Sequence, residues 1–250
     1  MDKRRKAVLS MKRHLILLAL LIISLFTAYP ASEILTTFLP ENSQNTLVID
    51  AGHGGFDGGA VGATGVTEQD INLSISKSVY DLSFFFGQKA VMTRKDSNAL
   101  NYNENASVRE NKVNDIHARE KITNDIKNPV FMSIHLNKFQ DPQYFGAQVF
   151  YSKNNGQSKP LAENIQSSLI TGIQNKNIRT AKPAASSIYL MKMLKCPAII
   201  VECGFLSNPE EEKLLSNQNY QKRLAICIFN GYQNYLNGEN NETENTLSMQ

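Results

Sequence analysis

Val48-Ile49-Asp50-Ala51-Gly52-His53-Gly54-Gly55 decides how this chain is read. A largely apolar run gives way to a glycine-rich turn, and a histidine stands at the junction. Two later stretches repeat the arrangement: Val130-Phe131-Met132-Ser133-Ile134-His135-Leu136-Asn137 and Ala198-Ile199-Ile200-Val201-Glu202. Near-continuous apolar runs suit strands buried on both faces of an α/β sheet, whereas one solvated face would impose alternation. Ligands gather beyond the carboxyl ends of strands in such sheets, so these three endings predict one shared crevice.

Outward from these runs, strands and helices alternate. Strands are expected at Thr46 to Asp50, Lys89 to Thr93, Val130 to Ile134, Gly146 to Tyr151, Ser187 to Met191 and Ala198 to Val201. Helices are expected at Glu68 to Phe85, Val108 to Asp125, Lys159 to Ile173 and after Asn208. The pattern predicts a single α/β domain with a twisted, mostly parallel sheet of about six strands flanked by helices. Ile71, Ile75, Val79 and Leu82 recur at helical spacing, and Thr67 with Asp70 reads as a capping box at that helix's start.

The amino terminus is of another kind. Lys3, Arg4, Arg5, Lys6, Lys12 and Arg13 precede an apolar run from Leu15 to Ala28, broken by Ser24 and Thr27. The run is short for a spanning helix of about 20 residues and fits a secretory signal, yet Phe26, Tyr29 and Pro30 interrupt the candidate cleavage sites. Residues 1–28 are therefore read as a signal peptide or an N-terminal membrane anchor, with the domain delivered outside the cytoplasm. Residues 29–45 read as a linker, 46–236 as the catalytic domain and 237–250 as a polar, disordered tail.

Residues 1–14 hold six Lys/Arg and one Asp of the chain's 26 basic and 23 acidic residues, leaving 20 against 22 in the remainder. The folded part is near neutral, and Lys192 with Lys195 are too few for the basic stripe that a nucleic-acid partner requires. Cys196, Cys203 and Cys227 are odd in number and lack metal-binding spacing, so at least one thiol is unpaired. Cys203 follows Glu202 and reads as a small buried core residue rather than a nucleophile.

Single histidines are more often packed residues than ligands, and His14, beside the apolar run, and His117, within a charged helix, are set aside for that reason. His53 differs because Gly52, Gly54, Gly55, Gly58, Gly59 and Gly62 let the backbone bend towards a ligand. No phosphate-binding or dinucleotide fingerprint is present. Two histidines with one glutamate are a known catalytic zinc set that keeps one position for water, and His53, Glu68 and His135 supply it. Glu68 alone would read as an acid on a helix N-terminus, worth about 0.3–1 kcal/mol. Glu202 follows four apolar residues, where an unpaired carboxylate is costly, and is the candidate general base.

With these residues in view, the chain resembles the zinc-dependent N-acetylmuramoyl-L-alanine amidases of the third amidase class. The resemblance rests on Ile49-Asp50-Ala51-Gly52-His53-Gly54-Gly55 with Asp57, on Glu68, on Thr93-Arg94, on Ser133-Ile134-His135-Leu136-Asn137, and on Val201-Glu202-Cys203-Gly204-Phe205-Leu206-Ser207-Asn208. It implies zinc bound by His53, Glu68 and His135, catalysis by Glu202, and hydrolysis of the bond joining N-acetylmuramic acid to L-alanine in peptidoglycan. Leu136 and Cys203 stand where the family often has Ala and Thr.

A short domain without an added wall-binding module is similar to the germination-specific branch, which strips stem peptides before muramic-δ-lactam forms in spore cortex. The alternatives are a zinc peptidase acting within the stem peptide, or a non-catalytic wall-binding protein with a degenerate site. Restraint of such an enzyme would come from the timing of expression or from an unidentified regulatory partner.

Overall fold

Thr46–Ala51 forms strand β1, and the other apolar runs follow it into one sheet: β2 Ala90–Met92, β3 Pro129–Asn137, β4 Gln148–Tyr151, β5 Lys182–Pro183 and β6 Ala198–Phe205. The computed structural model describes Lys12 and residues 45–247, with side chains as far as residue 238. The expected signal or anchor and the linker lie outside the described residues, apart from Lys12 and Asn45. Helices are α1 Glu68–Phe85, α2 Val108–Asn124, α3 Ser158–Gly172, α4 Tyr189–Met193, α5 Pro209–Leu215 and α6 Gln218–Leu247. Among the described residues, no helix is long and apolar enough to cross a membrane.

The strand order is β2-β1-β3-β6-β4-β5. β2, β1, β3 and β6 run parallel, β4 is antiparallel to β6, and β5 pairs parallel with β4. Alternate side chains point to opposite faces, and both faces are covered. On one, Leu47, Ile49, Met132, Ile199 and Val201 pack with Ile71 and Ile75 of α1, Ile165 of α3 and Ile228 of α6. The other carries Val48, Phe131, Ala198 and Ile200 under Leu190, Met191 and Leu194. Removing a fully buried side chain such as Ile75 would cost about 2–5 kcal/mol.

The expected strand at Ser187 to Met191 is not formed. Tyr189–Met193 is the short helix α4, and the strand that completes the six is β5, Lys182–Pro183. The four-residue apolar run Ile188 to Met191 is too short for a period that separates strand from helix, and here Leu190 and Met191 need only present one buried face. Thr67 precedes α1 but makes no side-chain cap; its hydroxyl instead donates to the Asp70 carboxylate at 2.5 Å. The capping box occurs on α2, where Ser107 and Glu110 satisfy each other's backbone N–H. At the carboxyl end, the backbone of α6 runs helically from Gln218 through Leu247.

Candidate metal centre

Three elements of the parallel sheet deliver the site. β1 ends at Ala51, and His53 then turns the chain with φ 62°, an uncommon conformation for a residue with a side chain. β3 and β6 each run further than their apolar cores suggest, so His135 and Glu202 lie within strands rather than beyond them. They are direct neighbours in register and therefore project from the same face. Gly52 passes so close beneath His135 that a Cβ there would lie 2.3 Å from the imidazole.

Glu68 arrives from the other side as the first residue of α1, carried by a loop held with bridges between Gly54 and Asp57 and between Val61 and Thr67. Its side chain is buried, and five groups surround it. Oε1 accepts from the Leu136 N–H at 3.0 Å and Asn72 Nδ2 at 3.3 Å, and lies 2.9 Å from His135 Nδ1. Oε2 accepts from the Ala60 N–H at 2.8 Å and faces His53 Nε2 at 3.3 Å. Burial alone would raise its pKa, but the hydrogen bonds to His135 and His53 hold the carboxylate well below the ordinary range.

His53 uses its second ring nitrogen outward, with Nδ1 3.0 Å from Asp57 Oδ2, and Lys112 Nζ donates to the same carboxylate at 3.1 Å. An imidazole held on one nitrogen by a carboxylate presents the other in a fixed direction, the arrangement common behind metal-ligating histidines. Asp57 and Glu68 outweigh the effect of burial and hold the His53 pKa up at about 9. Ligand atoms of His53, Glu68 and His135 all lie within 4.8 Å of one another. This donor set and spacing fit a small divalent ion, and two imidazoles with one carboxylate fit zinc.

Glu202 is not one of that trio but stands beside His135. It lines a cavity of about 360 Å³ together with His53, His135 and the apolar side chains of Phe131, Leu190 and Ile200. Its Oε2 is buried with no hydrogen-bond partner. Burial pushes its pKa up to about 7, with the Glu68 charge adding to the rise and His135 and His53 opposing it. All four residues expected at the site therefore meet at one rim of the sheet.

Residues 47–234 match the family described as N-acetylmuramoyl-L-alanine amidase. The chain belongs to this family. It is 34% identical over 194 residues to the germination-specific N-acetylmuramoyl-L-alanine amidase of Bacillus subtilis, covering 78% of this chain and 81% of that one. Among solved structures, it resembles the CwlD amidase from Clostridioides difficile in complex with the GerS lipoprotein, at 39% identity and TM-score 0.74, covering 77% of this chain and 98% of that one. The amidase AmiC2 of Nostoc punctiforme is 29% identical with TM-score 0.65, covering 78% and 99%.

Other residues of this amidase support the site from behind, and the sequence reading passed over most of them. Arg119 is buried and donates to the carbonyls of Ala51 at 2.8 Å and His53 at 2.7 Å, to Asp50 Oδ1 at 2.5 Å and to Asp115 Oδ2 at 2.6 Å. Arg94, noted only as part of a motif, donates to the carbonyls of Ala51, Gly52 and Gln69 at 2.8–2.9 Å. Together they gather three successive carbonyls of the turn that carries His53. Asp50 completes the assembly by accepting from Thr93 at 2.7 Å and Ser133 at 2.5 Å.

A polar residue on an otherwise charged helix carries no outward sign of burial, and only the i,i+4 spacing of Asp115 and Arg119 hinted at a pair. The residues set aside stay apart. His117 is exposed and lies against Tyr189, with ring centroids 5.2 Å apart, and His14 falls outside the described residues. Cys196, Cys203 and Cys227 are all unpaired. Cys203 is fully buried in the helix-covered core, and burial pushes its thiol pKa far up, which leaves no reactive thiolate.

Proposed function

We propose that this amidase is a zinc enzyme in which His53, Glu68 and His135 hold the ion and Glu202 moves the protons of the reaction. The observation that carries the reading is a buried, unpartnered oxygen on Glu202, a residue that lines one cavity together with His53 and His135. When bound, zinc polarises a carbonyl and brings the pKa of water down to roughly 7. The chain's own groups supply the rest.

Asp57 fixes His53, and the N–H groups of Ala60 and Leu136 with the Asn72 amide fix Glu68, so that ligand directions are set before any substrate arrives. Glu202, whose burial favours its protonated form, takes a proton from the attacking water as the lactyl carbonyl of N-acetylmuramic acid is attacked. It then returns that proton to the departing L-alanine amine. The apolar cavity wall of Phe131, Leu190 and Ile200 limits bulk water around that carboxylate.

The similarity to a germination-specific amidase supports a role in spore cortex, where removal of stem peptides precedes muramic-δ-lactam formation. The basic and apolar residues 1–28 support export, as a signal or an anchor, to the wall or the space around the cortex. A regulatory protein partner is part of the same reading, supported by the lipoprotein complex of the similar Clostridioides difficile amidase. Parallel digests of spore cortex and vegetative sacculi, followed by mass analysis of the muropeptides, test it. Released peptides beginning with L-alanine, obtained in higher yield from cortex, are expected. Cleavage within the stem peptide would overturn the amidase assignment, and equal yields would remove the spore assignment.

A further inference from the structure

The end of the sheet opposite the metal centre carries an uncommon surface. Phe84, Phe85 and Phe86 are consecutive and 82%, 77% and 50% exposed. Single exposed apolar residues are ordinary, whereas three in a row on a folded surface mark a place of contact. They are held in place at the last turn of α1, where the Phe86 N–H bonds to the Leu82 carbonyl and Gly87 turns the chain with φ 68°. The Phe86 ring stacks on Phe229 of α6 with centroids 5.4 Å apart, and Phe85 meets Phe86 edge-on at 5.1 Å. Phe85, Phe86 and Phe229 thus form a preformed cluster on rigid supports, with Phe84 exposed beside it in the chain.

Their surroundings are basic. Lys89, Lys127 and Lys195 are exposed and lie just before β2, β3 and β6, at the entering ends of parallel strands. The four strands β2, β1, β3 and β6 are adjacent, so these lysines flank a strip about 14 Å wide. Two exposed acids are near in sequence: Asp125 is paired with Lys121 at 2.5 Å, and Asp81 stands one turn before Phe85. Asn45 enters the fold along the same edge, where its carbonyl accepts from Gln88 Nε2 at 3.0 Å.

From Asn45 the chain leads back to the apolar run that ends at Ala28, and the sixteen intervening residues reach no further than about 55 Å. Resting on the reading of residues 1–28 as a membrane anchor, we infer that this edge docks on an anionic lipid surface, with Phe84, Phe85 and Phe86 entering the headgroup boundary and Lys89, Lys127 and Lys195 facing the phosphates. Exposed aromatics with flanking lysines are the chemistry of an interfacial lipid contact. Docking this edge turns the opposite ends of β1, β3 and β6, and with them His53, His135 and Glu202, away from the bilayer and towards the wall polymer.

The chain contains no tryptophan, so Phe85→Trp gives a unique reporter. The full chain carrying it is reconstituted with phosphatidylglycerol vesicles, beside a Tyr102→Trp chain whose reporter replaces the ring packed on Phe56 near the metal centre. Expected results are a blue shift and quenching by brominated acyl chains for Phe85→Trp, and quenching only by aqueous iodide for Tyr102→Trp. Changing Lys89, Lys127 and Lys195 to Gln is expected to weaken docking by roughly fivefold per lysine.

A chain that floats with vesicles while its Phe85→Trp reporter stays open to iodide overturns the docking surface and leaves the anchor standing. Failure to float overturns both. A blue shift without bromolipid quenching assigns the patch to another segment of this chain, and one that grows with protein concentration in the absence of lipid assigns it to a second copy. Either result refutes the lipid proposal.

Discussion

Replacing Arg119 with Met tests whether the buried guanidinium holds the turn that bears His53. The substitution keeps a long apolar stem in place and removes donors to Asp50, Asp115 and the carbonyls of Ala51 and His53. Asp50 is then left as a buried carboxylate with only Thr93 and Ser133 as donors. Breaking one side of a buried pair costs about 3–5 kcal/mol. The Ala51 carbonyl keeps its bond from Arg94, so little is added for that group.

Asp50→Asn alone retains an acceptor for Thr93 and leaves Arg119 paired with Asp115, which predicts a smaller loss of about 2–3 kcal/mol. The double variant no longer buries an uncompensated charge at position 50, so its loss should fall short of the sum by about 2 kcal/mol. Urea unfolding followed by far-ultraviolet circular dichroism reads all four chains.

The pH dependence gives a second reading of the same pair. Burial would raise the Asp50 pKa, but Arg119, Ser133 and Thr93 outweigh it and hold the value below the ordinary range. Asp50 therefore contributes stability that is present above about pH 4 and lost as pH falls through its depressed folded value, so wild type and Asp50→Asn should converge in acid. Additive losses within about 0.5 kcal/mol, or an Arg119→Met cost below about 1 kcal/mol as for an exposed pair, would refute the reasoning.

Gly52→Ala should displace His135, since the new methyl would sit against the imidazole, and a loss of zinc retention measured by metal analysis checks it. For Asp57→Asn, the loss of the carboxylate behind His53 predicts zinc affinity weaker by about 10- to 100-fold with the fold intact, measured by competition with a chromogenic chelator. Glu202→Gln should stabilise the chelator-treated protein at pH 8 by about 1–3 kcal/mol and do little at pH 4. The sign follows from a folded pKa of about 7, above the unfolded value, which makes ionised Glu202 a destabilising group as pH rises between the two. Equal thermal shifts of wild type and variant across that range would remove this assignment.

Periodicity and composition sufficed for the sheet because β1, β3 and β6 are buried on both faces and leave continuous apolar runs in the sequence. Site residues at the ends of those runs were legible for the same reason: a polar group closing a buried strand has few bland uses. Glu68 was less so, since an acid in the first turn of a helix is common, and only its position between the two histidines distinguishes it. The short segment at Tyr189–Met193 misled because its apolar residues, Tyr189, Leu190, Met191 and Met193, are too few to separate the two geometries. Arg119 was hidden by its setting, a helix that buries Asn111, Arg119 and Thr123 as well as Ala118 and so shows no apolar stripe. The signal for it would have been a search for a cation able to offset Asp50, a buried acid inside an apolar strand.

Zinc content and amidase turnover, measured on the same preparations of wild type, His53→Ala and Glu202→Gln, test the central claim most directly. Wild type should carry one zinc and release peptides beginning with L-alanine, whereas His53→Ala should lose both metal and activity. Glu202→Gln should keep the metal and lose turnover by about 10²- to 10⁴-fold. A Glu202→Gln chain that stays active, or a His53→Ala chain that keeps its zinc, would contradict the account.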